Sequence, residues 1–128
     1  MQTQENAQMS TAYTIECVGA DGQVKWSDGF HNLVTTAGLN DLLTQYFKGS
    51  AYTAAFYVGV TGATPTFAAG DTMASHAGWT ESSAYSQATR PALTLGTAAS
   101  GSIDNSASKA QFSINATATI GGAFLATN

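Results

Sequence analysis

Only one stretch of this chain repeats its large apolar residues at helical spacing, and that limits the fold to a mainly β arrangement. Between Thr35 and Lys48, the residues Leu39, Leu42, Leu43, Tyr46 and Phe47 fall at i, i+3, i+4, i+7 and i+8. This is the single apolar stripe of an amphipathic helix. Thr35 or Thr36 can cap its start, Lys48 suits the dipole at its end, and Gly49 is a natural stop. Gly38 weakens the first turn. The spacing predicts one short α-helix, about 36–48, packed on a sheet.

The remaining apolar residues come in short runs. Tyr13–Val18 and Gln23–Ser27 are strand-like and are joined through Asp21-Gly22, the strongest short-range hairpin signal. Trp26 is expected to anchor one face of that hairpin. Ala54–Thr61 reads as a central strand, with Gly59 allowing close approach of a neighbouring aromatic or backbone. Tyr85–Leu95 reads as a strand that lies at an edge or begins near Pro91, because proline cannot donate to a ladder. Phe112, Ile114, Ala116 and Ala118 alternate with polar residues, as in a half-buried strand. Gly121-Gly122 can turn the chain into a last short strand, Ala123–Leu125.

Between these runs, Gly62–Ser83 is irregular and long enough to be functional or interfacial. Ala98–Ser108 is rich in Ala, Ser and Gly, with Asp104-Asn105 as a turn signal. Short strands, Gly and Asn turns and one helix predict an antiparallel β-sandwich or jelly-roll-like domain over 11–128. The polar segment 1–10 reads as a flexible arm that orders only against a partner.

Composition sharpens the functional reading. Ala, Thr, Ser and Gly make up about half of the 128 residues, and charged residues only 9%. Such a surface lacks the charges that keep a free globular protein solvated and suits contact with other protein. Lys25, Lys48, Arg90 and Lys109 are scattered and the net charge is −4, so no footprint for nucleic acid or an anionic membrane is expected. No apolar stretch is long enough for a membrane helix, and the N-terminus does not read as a signal peptide. Cys17, the single cysteine, reads as a small buried hydrophobe.

Catalytic motifs are missing from the sequence. His31 precedes the helix and reads as a turn or packing residue. His76, with Asp71 and Glu81, has no recognised metal-ligand or acid–base spacing. There is no Gly-x-Ser-x-Gly elbow and no phosphate-cradling glycine loop. Asn115-Ala116-Thr117 reads as a chance match to a glycosylation acceptor. No enzyme activity, catalytic residue, metal or cofactor is expected. The candidates that remain are contact residues. Trp79 is either pinned on the core or an interface anchor, and Tyr85 and Arg90 are enriched interface types that could join it. His76 belongs to the same loop, and Met1, Gln2, Thr3, Gln4 and Glu5 form the arm.

Three segments carry a resemblance. The runs from His31 to Asn40 and from Gly70 to Glu81 (GDTMASHAGWTE), and the closing segment Phe112 to Leu125 with its ATIGGAFL ending, resemble recurrent elements of small virion proteins encoded by tailed bacteriophages. The similarity spans most of residues 13 to 127. It implies a phage structural protein, and a capsid decoration (cement) protein suits the chain best. That role implies a small β-rich domain, commonly a trimer, on the outer surface of the major capsid protein shell at subunit junctions. It also implies a location on the virion after synthesis in the host cytoplasm. The alternative is a tail, neck or fibre-associated component that binds a host receptor or glycan, for which an exposed Trp79 and Tyr85 would stack on sugars.

Overall fold

The structure, a computed structural model, describes residues 9–48 and 55–127. Its elements run β1 (Ala12–Val18), β2 (Val24–His31), α1 (Thr36–Lys48), β3 (Phe56–Thr61) and β4 (Gly122–Thr127). The strands form two antiparallel two-stranded sheets, β1-β2 and β3-β4. Among the described residues the chain is thus β-rich with one helix, and the two sheets share no close backbone contact. The face-to-face layers expected of a sandwich or jelly roll are not seen among the described residues.

The β1-β2 hairpin follows from its turn. Gly22 takes a left-handed φ of 77°, which glycine adopts without a Cβ clash. The Gln23 N–H donates to the Asp21 carboxylate at 3.1 Å, and the Gly19 N–H donates to the Gln23 carbonyl at 2.8 Å. A bulge between Cys17 and Val18 absorbs the extra residue. The strand β2 runs four residues past the Ser27 expected from sequence, through Asp28-Gly29 to His31. Its far end is held by Phe30, which lies opposite Tyr13 and stacks on it at 5.2 Å with an 8° interplanar angle. Trp26 anchors no face, because its side chain is 46% exposed.

The helix begins at Thr36, and Thr35 is its cap: the Gly38 N–H donates to Thr35 Oγ1 at 3.3 Å. Its N-terminus is tied to the long loop by the Thr36 N–H donating to the Ala69 carbonyl at 2.8 Å. The expected packing on a sheet is not formed. Helix α1 packs on neither sheet, and none of its residues is buried. Gly49, read as its stop, lies outside the described residues.

The core sits on β3. Strand β4 pairs along one edge of β3, with Gly59 opposite Phe124. The other edge is occupied by two short segments. The Gly62 and Ser82 N–H groups exchange bonds with this edge through the Thr80 and Val60 carbonyls, and the Val58 N–H donates to the Pro91 carbonyl at 2.9 Å. The Leu93 N–H donates to the Phe56 carbonyl at 2.8 Å. Pro91 therefore serves the edge as an acceptor, where its missing N–H costs no ladder bond. Val60, Thr61, Trp79, Ala123, Phe124 and Ala126 are buried around this strand. A Cβ at Gly59 would fall within the Phe124 ring, the close aromatic approach that its position suggested.

Two expected strands are not continuous. Tyr85–Leu95 contributes only the single bridges Tyr57–Ala92 and Tyr85–Ile114, and Phe112–Thr119 only the latter. Ala116 and Ala118 have too little side chain to form cross-strand pairs that would extend a ladder. The segments 84–87 and 111–115 are instead stapled by Gln87, whose amide donates to the Gln111 carbonyl and accepts from the Ser113 N–H.

Candidate interaction surface

Gly62–Ser83, the long loop, is organised around Trp79, which is 9% exposed. Its ring meets Phe124 at 4.8 Å and Phe67 at 5.6 Å, and His76 stacks on it at 3.8 Å. The indole Nε1–H donates to Asp71 Oδ2 at 2.9 Å, and the same carboxylate accepts the Ala68 N–H at 2.9 Å. A carbonyl only accepts, so the 3.1 Å contact between His76 Nδ1 and the Trp79 carbonyl places a proton on Nδ1. Of the two readings open for Trp79, the structure gives the core one. Its ring is not an exposed platform for a sugar.

Beside this loop, Arg90 makes a two-pronged ion pair with Glu81, at 2.7 Å on each prong. Its guanidinium also lies 5.4 Å from the centre of the Phe124 ring. Fixed donors in a fork, partly shielded from water, make this the strongest charged contact described. Tyr85 adjoins the pair, and burial first, then the Glu81 charge, pushes its hydroxyl pKa up against the opposing pull of Arg90. Glu81, Ser83, Tyr85, Ala88, Thr89 and Arg90 line an open depression of about 320 Å³. Tyr85 and Arg90 are thus brought together, with His76 and Trp79 in the adjacent loop. Met1, Gln2, Thr3, Gln4 and Glu5 lie outside the described residues.

Asp71, His76 and Glu81, weighed from sequence as a chemical group, are each engaged elsewhere, the first two by Trp79 and the third by Arg90. Asp71 accepts from Trp79, His76 donates to the Trp79 carbonyl, and Glu81 binds Arg90. Among the described residues no cluster of three His, Cys, Asp or Glu side chains could hold a metal ion. No described helix is long and apolar enough to cross a membrane.

A second surface differs in character. Leu39, Leu42, Leu43, Tyr46 and Phe47 of α1, with Met9, line an apolar groove of about 530 Å³. Tyr46 and Phe47 are 77% and 75% exposed, and their rings meet edge to face at 5.0 Å. Sequence reasoning assigned this stripe to the core. The available signal against that assignment was the scarcity of broad apolar faces on the strands that would have received it.

The exposed area supports the same point for the whole chain. It exposes 9423 Å², whereas a folded monomeric protein of 13.1 kDa exposes about 6,400 Å². If every residue outside the described set is counted at its unfolded maximum of about 2,400 Å² in all, the described residues still expose about 1,200 Å² more than the roughly 5,800 Å² of a folded monomer of their own mass. A standard interface takes about 800 Å² from each partner.

Comparison of the chain with protein-family models, with curated proteins and with solved structures gives no match.

Proposed function

We propose that this chain is a structural subunit of a tailed-phage particle. In this reading it is a decoration (cement) protein that binds the outer surface of the major capsid protein shell at subunit junctions and stabilises it. The observation that carries the reading is the exposed area, which exceeds that of a free folded monomer by more than a standard interface requires. A charge content of 9% and the resemblance of the segments around His31–Asn40, Gly70–Glu81 and Phe112–Leu125 to small phage virion proteins support it. Such a role needs extended contacts and no chemistry.

The proposal takes the antiparallel sandwich as the arrangement on the particle, its layers brought together between copies. Edges closed by neighbours would also protect strands that have few charges to guard them. Many copies on one shell would add individually weak contacts by avidity. The tail or receptor-binding reading loses its main support, since Trp79 is committed to the core.

The test is cosedimentation of the purified protein with expanded capsids that lack it, followed by heating of the loaded and bare shells. Saturable binding in many copies, with a higher disruption temperature, is the expected result. Protein left in the supernatant, or shells of unchanged stability, would overturn the reading.

A further inference from the structure

We infer that the apolar face of α1 is an interface between copies of this chain. At about 100° per residue, Leu39, Leu42, Leu43, Tyr46 and Phe47 cover an arc of about 140°. Asp41 and Lys48, the two charges of α1, fall on the opposite side of the helix. The face is therefore free of charge, and two copies of it meet without repulsion or a stranded ion. Among the described residues no strand packs on it. It is also continuous with Met9, so the patch extends beyond the helix toward the start of β1.

The occupant is a second copy for two reasons. First, the uncovered area of about 1,200 Å² or more per chain is what a stable homo-oligomer buries and more than a transient contact takes. Second, a face with two nearly bare aromatic rings needs cover wherever the chain is in solution, including before it meets any other protein. Only another copy is always present there. Tyr46 and Phe47, the most exposed rings of the described residues, are the anchors, since aromatic side chains dominate the centre of such contacts.

This inference does not depend on the capsid reading, and its test contains no capsids. The purified chain is sedimented at micromolar concentration, as wild type and with Leu43→Glu or Phe47→Glu. The wild type is expected at a multiple of the single-chain mass. Each glutamate is expected to raise the dissociation constant by about 30-fold or more while the β signal in circular dichroism persists, because α1 touches neither sheet. A second measurement covers a variant that fails to fold: Tyr46→Cys in a Cys17→Ser background, oxidised at low concentration. Copies linked through residue 46 support the interface. A wild type at the mass of one chain, or an oligomer indifferent to both glutamates and uncrosslinked at residue 46, overturns it.

Discussion

The Phe124 ring occupies the space that a side chain on Gly59 would need, the two residues facing each other across the β3-β4 pair. The smallest residue of one strand thus sets the place of the largest residue of the other. Phe124 in turn carries Trp79 on one side and Arg90 on another. Replacing Gly59 by Ala should force the ring aside and cost about 1–3 kcal/mol. Thermal unfolding checks this, and an unchanged melting temperature would show that the ring has room to move.

Removing the carboxylate of Asp71 leaves the indole N–H of a buried Trp79 without its acceptor. Asp71→Ala should cost about 1–3 kcal/mol and loosen the 62–83 loop before the strands. Limited proteolysis should cut the variant first within that loop. Cleavage at wild-type rate would mean that the packing of Phe67, His76 and Phe124 around the indole is sufficient alone.

Arg90→Lys keeps the charge and loses the fork. A lysine cannot place two parallel donors on Glu81 and also lie flat against Phe124, so the variant should be less stable by about 1 kcal/mol. The wild-type pair is mostly shielded from water, with side chains 20% and 27% exposed. Its contribution should therefore fall only slightly with added salt. Urea unfolding at low and high salt, for both proteins, measures the difference.

Burial holds the Tyr13 hydroxyl pKa above its ordinary value of 10.0. The folded state thus keeps this proton more tightly than the unfolded state does. The associated stability is whole below the ordinary value and declines as pH rises toward the folded one. Tyr85 shifts in the same direction. Tyr13→Phe, which preserves the stack on Phe30, should flatten the alkaline decline without abolishing it. Unfolding followed between pH 9 and 12 tests this (the bounds are set about one unit or more either side of the ordinary tyrosine value). Parallel curves for the two proteins would refute the assignment to Tyr13.

The parts legible in the sequence are those fixed by neighbours in the chain. Asp21-Gly22 announces its turn, Thr35 its cap, and the run through Phe56–Thr61 its strand, because a few adjacent residues decide each. The parts that were not legible depend on distant partners. Nothing in the spacing of Leu39 to Phe47 says that no sheet lies beneath them. The Trp79–Asp71 bond joins residues eight positions apart through a loop without periodicity. The Glu81–Arg90 fork arises because both residues are brought to the same edge of β3. The alternation from Phe112 to Thr119 misled because period alone does not supply area. Ala and Ser keep the rhythm of a strand and bury too little to hold one.

The pairing of β3 with β4 has a consequence for the order of events during folding. Tyr13 and Phe30 lie close in sequence, whereas Val58 and Leu125 are more than sixty residues apart. Closing the longer loop costs about 1 kcal/mol more in chain entropy, and pairings between distant segments form late. The hairpin can form in microseconds while the central strand still waits for Gly122–Thr127 to reach it. During that interval Tyr57, Gly59 and Thr61 present an open edge, when a nascent chain is most prone to pair with the wrong neighbour. A slow arrival of β4 would therefore set the yield of native protein more than its final stability does.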